Sequence, residues 1–155
     1  MLFLLFQLGN DRYALEAKRV VEVIPLVSFK RLPNAPAGVA GFFNYRGEAV
    51  PAIDLCSLTL GHPASERLST RIIIVHYPDA ERTPRLLGLI AEKATQTIRK
   101  ETHDFTFTGI QAQSAPYLGP ILVEGDQVIQ WVHEDRLLPE NVSGPLFQKQ
   151  LATLP

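Results

Sequence analysis

Cys56 and His62 are the nearest thing in this chain to a nucleophile with a base beside it. A thiol attacks only as thiolate, and it needs a neighbouring base or a lowered pKa to become one at neutral pH. His62 opens a polar stretch running to Ser69, and nothing there orients an imidazole. The competing reading of Cys56 is a small buried thiol. Glu48 and Asp54 suggest an acid–base pair. The stronger reading of Asp54 is the cap of a short helix starting at Leu55, a position that favours aspartate. His62, His76, His103 and His133 lack metal-ligand spacing among themselves or with Cys56. Gly38-Val39-Ala40-Gly41 is too short to cradle a phosphate, and neither nucleotide-binding glycine fingerprint occurs. The chemistry-bearing residues therefore predict no catalytic centre, no metal and no cofactor.

Arg46 is of another kind. It stands beside Gly47 in an otherwise apolar segment. A hairpin-end arginine paired with Glu48 in water would contribute little. A guanidinium held by its neighbours and offered to a partner would contribute much, because its planar fork pairs carboxylates while its stem packs on apolar surface. Glu22, inside Val20-Val21-Glu22-Val23, reads alone as part of a solvated face.

The elements that must position these residues are short. Leu32 to Leu55 is dense in Pro33, Pro36, Gly38, Gly41, Gly47 and Pro51. Two strand-like runs, Phe42 to Arg46 and Ala49 to Ile53, flank Gly47-Glu48 as a tight turn. Pro51 inside the second run implies that one side of that strand is unpaired. Leu2 to Leu8 is a strand ended by Gly9-Asn10-Asp11. Ala17 to Glu22 reads as a helical turn, and Val23 to Phe29 as a strand broken by Pro25. The β-branched run Arg71 to Tyr77 reads as a buried strand. Leu86 to Ala91 is a second buried strand and Ala94 to Lys100 an edge strand. Glu101 to Pro116 reads as a long loop. Tyr117 to Glu124 and Val128 to His133 form a hairpin across Gly125-Asp126. Short strands with turns every ~8–12 residues predict an all-β fold, a barrel or sandwich. Beyond Pro139, Phe147, Leu151 and Leu154 have helical spacing with Leu146 beside them. That spacing fits a short amphipathic helix; the favoured reading is a tail that packs locally, and the sharper one a docking segment.

Bulk numbers bound the rest. The 46% apolar content of 155 residues supports a folded core. A net charge of −1 gives no basic excess for nucleic acid. One cysteine fits a reducing compartment. The apolar start is short, is interrupted at Gln7, and lacks a basic leader, so neither a signal peptide nor a membrane span is expected.

The central segment also carries a resemblance. Leu32-Pro33-Asn34-Ala35-Pro36, followed after a spacer by Gly41-Phe42-Phe43-Asn44-Tyr45-Arg46-Gly47-Glu48-Ala49-Val50-Pro51-Ala52-Ile53-Asp54-Leu55, is similar to the central motif of the CheW-like adaptor domains of bacterial chemosensory systems. Leu5 to Leu15 looks like that family's first hairpin, and Val20 to Ile24 like its V-x-E-V element. Thr70 to His76, Leu87 to Ile90 and Val128 to Leu138 follow in the expected order. The chain departs at Ala91-Glu92, Thr97, Cys56 and Gln130 to His133.

The resemblance implies two small five-stranded SH3-like or OB-like barrels packed together. The first would cover about residues 9–65, and the second about 66–139 with strand 2–8 crossing into it; a tail covers 140–155. It implies a non-enzymatic cytoplasmic adaptor between a chemoreceptor's cytoplasmic tip and the regulatory domain of a CheA-type histidine kinase. Other CheW-like proteins are a further class of partner. It nominates Val20, Glu22, Gly41, Phe42, Asn44, Arg46, Val50 and Gly88 for partner contact. The rival readings are a thiol-dependent enzyme using Cys56 and a barrel module binding nucleic acid or saccharide oligomers.

Overall fold

The structure is a computed structural model that describes residues 1–108 and 115–147. Among the described residues, nine strands carry the fold: β1 (Leu2–Leu8), β2 (Asp11–Glu16), β3 (Val20–Pro25), β4 (Val39–Tyr45), β5 (Glu48–Asp54), β6 (Arg71–Pro78), β7 (Pro84–Arg99), β8 (Leu118–Glu124) and β9 (Gln127–Val132). The helices are short, α1 (Leu55–Leu60) and α2 (Glu140–Leu146), with single 3-10 turns at Ala17–Arg19, Thr102–Asp104 and Glu134–Arg136. The all-β expectation holds.

The strands fall into two units of like connectivity. One is ordered β4-β5-β7-β6-β3, the other β8-β9-β2-β1-β7. In each, one inner pair is parallel, β5 with β7 in the first and β9 with β2 in the second. In each, one isolated antiparallel bridge links the outer edges, Lys30 with Phe42 and Thr106 with Ile121. The ladders otherwise stay open, so neither unit is the fully closed barrel expected. The allocation of strands also differs. β2, expected in the first unit, pairs β1 and β9, while β6, expected in the second, pairs β3 and β7. The cause is β7. Leu86 to Ala91 and Ala94 to Lys100, read as separate strands, fall, but for Lys100, in one strand of 16 residues, Pro84–Arg99. Its first part pairs β5 and β6, and its second part pairs β1.

Strand alternation builds the interior. On β6, Ile73 and Val75 enter a central cluster, while Ile72 and Ile74 enter the core of the first unit. On β1, Leu4, Phe6 and Leu8 enter the central cluster, and Phe3 and Leu5 the core of the second unit. Both strands are apolar on both faces because both faces are covered. At about 2 kcal/mol per fully buried aliphatic side chain, this double burial is the main force holding the units together. Tyr77 pins the C-terminal segment: its hydroxyl donates to the Leu138 carbonyl at 3.0 Å, and its ring stacks on Phe147 at 5.8 Å. Leu151 and Leu154, the rest of the expected amphipathic spacing, lie outside the described residues.

At the bend of β7, Lys93 takes a left-handed φ of 48°. The carboxylate of the preceding Glu92 accepts from the Gly9 N–H at 2.9 Å, the Ser65 N–H at 2.8 Å and the Cys56 thiol at 3.5 Å. It thus ties the β1–β2 turn, the loop before β6, and α1 to the crossing point. Burial alone would raise the Glu92 pKa, but the Gly9 and Ser65 N–H groups outweigh it and hold the carboxyl below its usual range. A depressed folded pKa contributes stability that is fully present above the unfolded value and is lost as pH falls through the folded one. Glu92→Ala leaves two N–H groups without acceptors and is expected to lower stability by ~2 kcal/mol in denaturant titration. Glu92→Gln is expected to flatten the decline in stability below pH ~4.5, near the ordinary glutamate pKa. An acid profile identical to the parent would remove Glu92 from this role.

Candidate functional site

Tyr45 pairs with Glu48, which leaves Arg46 and Gly47 as the two residues of the β4–β5 turn. Both have positive φ, 51° and 84°. This is the signature of a type I′ turn, whose twist matches the flanking strands. The turn therefore sits one residue earlier than the expected Gly47-Glu48, and Arg46 is a turn residue rather than a strand end. Glycine adopts such a φ freely, whereas arginine does not. The Asn44 side-chain oxygen accepts from the Gly47 N–H at 2.8 Å and braces the turn.

The Arg46 side chain is 74% exposed, yet it is held on two sides. Its Nη2 lies 3.1 Å from Glu22 Oε1, and its guanidinium sits 5.1 Å from the Tyr45 ring centroid. The Tyr45 hydroxyl donates to the same Glu22 oxygen at 2.5 Å. That hydrogen bond, with partial burial behind it, raises the Tyr45 pKa, so the hydroxyl remains a donor. Glu22 reaches the site from β3 and Arg46 from the β4–β5 turn. The outcome is an oriented cation with unspent hydrogen-bonding capacity at an exposed edge. A surface pair of this kind adds at most ~1 kcal/mol to the fold.

The structure brings Glu22, Asn44 and Arg46 together at the surface. Phe42 is half-buried on the edge of β4, where its N–H and carbonyl bond Lys30 at 2.9 and 2.7 Å. Val20 is half-buried against the central cluster. Three nominated residues are interior instead. Val50 is only 1% exposed, because the β5 alternation turns it into the core with Phe43. Gly88 is buried where a Cβ would come within 2.6 Å of the Phe43 ring and 2.8 Å of Ile72. Gly41 has φ 134°, and a Cβ there would meet the Lys30 carbonyl oxygen at 2.2 Å. These residues shape the scaffold behind the site. Tyr45 went unnominated; its place next to Arg46 in the motif was the available signal.

The cysteine reading fails on geometry. Cys56 is fully buried, and desolvation, with Glu92 beside it, pushes the thiol up to about 12. His62 instead faces the Pro63 carbonyl at 3.2 Å. Asp54 is a cap: one oxygen accepts from the Cys56 and Ser57 N–H groups at 2.9 and 3.2 Å, and the other from Ala64 at 3.0 Å.

The profile of the CheW-like domain matches residues 2–142. The chemotaxis protein CheW of Helicobacter pylori is 29% identical over 103 residues, which are 66% of this chain and 59% of that protein. The chemotaxis protein CheW of Klebsiella aerogenes is 25% identical over 145 residues, 88% of this chain and 80% of that protein. The chain thus spans under two thirds of the first relative's length and four fifths of the second's. In fold it is similar to the crystal structure of the scaffolding protein TtCheW from Thermoanaerobacter tengcongensis, with a TM-score of 0.78 at 23% identity, covering 94% of this chain and 92% of that one.

Two outcomes test the site's physics. The Cys56 thiol should resist a maleimide or disulfide reagent at neutral pH in the folded protein and label at once in denaturant; labelling of the native state at the rate of a free thiol would contradict it. Arg46→Gly and Arg46→Ala both remove the guanidinium, but only alanine keeps the strained φ. The glycine variant should therefore be more stable than the alanine variant by ~1 kcal/mol in paired chemical denaturations.

Proposed function

This chain belongs to the CheW-like domain family, and from that premise we propose that it couples a chemoreceptor's cytoplasmic tip to the regulatory domain of a CheA-type histidine kinase. It is a scaffold and adaptor domain of chemotaxis signalling, of a non-enzymatic family. In the proposed role it works in the cytoplasm, recruited to membrane-associated receptor arrays. Among the described residues, no helix is long and apolar enough to cross a membrane.

The observation that carries the reading is the Arg46 guanidinium, exposed but oriented by Glu22 and Tyr45 on a turn whose backbone disfavours arginine. Strained residues persist where surrounding structure enforces them, and they cluster at working surfaces. Arg46 contributes little to stability, and its fork suits carboxylates or helix-end carbonyls on a partner. Phe42 on β4 and the exposed part of Val20 on β3 offer apolar area on the strands that carry Arg46 and Glu22, as a small interface with a polar rim requires. Signal passes as a change in how the partners pack, because each partner biases only states it binds differently.

Arg46→Ala is expected to weaken binding of the receptor tip by ~2 kcal/mol, about thirtyfold, with little change in melting temperature. Glu22→Gln should act in the same direction and less strongly, because Tyr45 still finds an acceptor. Calorimetric titration with the cognate receptor tip and the kinase regulatory domain, at low and high salt, decides the matter. Only mild salt dependence is expected at a net charge of −1. Unchanged affinity in Arg46→Ala, or binding abolished by moderate salt, would overturn the reading.

A further inference from the structure

The 3-10 turn Ala17–Arg19 leads from β2 of the second unit into β3 of the first, and the turn Glu134–Arg136 follows β9 of the second. Arg19 joins the two turns. Its Nε lies 3.4 Å from Glu134 Oε1 and 3.9 Å from Glu16 Oε2. That nitrogen carries a single N–H, so it donates well to one carboxylate at a time. The two acids are withdrawn from water: the Glu134 side chain is 8% exposed and that of Glu16 13%, against 58% for Arg19. Glu134 has the shorter contact with the guanidinium, and its other oxygen accepts from the Asp135 N–H at 3.1 Å. Glu16 Oε2 is buried and has no hydrogen bond among the described residues, although Lys18 Nζ stands 3.4 Å away. A buried carboxylate oxygen without a donor is costly. The Arg19 N–H, now nearer Glu134, is a donor within reach of it.

We propose that Glu16, Arg19 and Glu134 form a proton-operated switch: when the Glu134 carboxylate takes a proton from water, Arg19 passes to Glu16 and the tie between the two units opens. The two arrangements are discrete, because one N–H chooses between two acceptors. By linkage, whatever moves Arg19 to Glu16 also raises the affinity of Glu134 for its proton. Burial and then the neighbouring Asp135 raise the Glu134 pKa, and Arg19 opposes them without prevailing. A raised folded pKa contributes stability that is fully present below the unfolded value and is lost as pH rises through the folded one. Ionised Glu134 is therefore a cost to the fold at neutral pH, which a purely structural ion pair would not be. The other charged and titratable neighbours are few. His133, which faces Glu16, Asp135 and Arg136, has its pKa lowered by burial and is neutral at neutral pH. From β6 comes Tyr77, facing Asp135 with its hydroxyl engaged by Leu138. β1, which packs on the Ala17–Arg19 turn, brings no ionisable side chain. The switch lies outside the Glu22–Arg46 cluster and does not rest on the adaptor reading.

The test is a magnetic-resonance titration of the full isotope-labelled chain, alone, from neutral to acid pH. The Glu134 carboxyl carbon should titrate above the ordinary glutamate pKa. Over the same range, the nuclear Overhauser contacts of the Arg19 side chain should pass from the Glu134 methylenes to those of Glu16. Glu134→Gln cannot ionise, so it should show the acid contacts already at neutral pH. It should also melt no lower than the parent there, with any difference vanishing in acid. Glu16→Gln removes the competing carboxylate, so the Arg19 contacts should stay with Glu134 and the Glu134 pKa should fall. His133→Gln should leave the exchange of partners in place, which separates the carboxyl from the imidazole as the titrating group. A Glu134 carboxyl titrating at or below the ordinary value overturns the proposal. So do Arg19 contacts that stay unchanged across that titration, or a Glu134→Gln variant less stable than the parent at every pH.

Discussion

One strand is asked to belong to two units, and the rest of the structure is arranged around that demand. β7 runs 16 residues through a bend at Glu92 and Lys93, serving the first unit before the bend and the second after it. A strand cannot be turned without losing ladder partners. The Glu92 carboxylate meets that need by accepting N–H groups from the β1–β2 turn and from the loop before β6. Because both units share the strand, their faces come together over a common interior, and β1 and β6 must be apolar on both sides. The relative position of the units is thus set chiefly by covalent continuity and apolar burial, with the Arg19–Glu134 ion pair at 3.4 Å also tying the turn before β3 to the segment after β9.

That leaves exposed charges such as Arg46 free for other work. β4 shows the division plainly. Its inward positions, Phe43 and Tyr45, belong to the core of the first unit, while Asn44 points outward. Tyr45 does both jobs: its ring is buried and its hydroxyl reaches Glu22. Gly88 and Gly41 give room for the Phe43 ring and for the Lys30–Phe42 bridge, so the turn bearing Arg46 stands on closely packed ground. An oriented guanidinium on a rigid base loses less freedom on binding than one on a mobile loop.

Period-two patterning and turn residues made the strands legible: the run from Arg71, the hairpin at Gly125, and the Asp54 cap were all readable from spacing. Pro51 was read as unpaired on one side, and β5 meets β7 only over Ala52 to Asp54. The continuity of β7 was not legible, because Glu92 and Lys93 look like a polar break between two strands. The fate of Val50 and Gly88 was not legible either. A motif names residues together, and only alternation against a known core face says which of them reach the surface. Arg46 was found by its type, but its strained turn could not be, since the hairpin register was read one residue late.

The two units share connectivity, yet they differ where it matters. Corresponding hairpins carry Arg46-Gly47 in one and Gly125-Asp126 in the other, and across the ladders Glu22 corresponds to Gln96. The pair that holds the guanidinium thus exists in one of two units of like connectivity. An object with true two-fold symmetry has no front or back, and whatever it joins can be joined either way round. The difference at this hairpin and at Glu22 gives this small domain a direction. A lattice built from such parts could tell its beginning from its end.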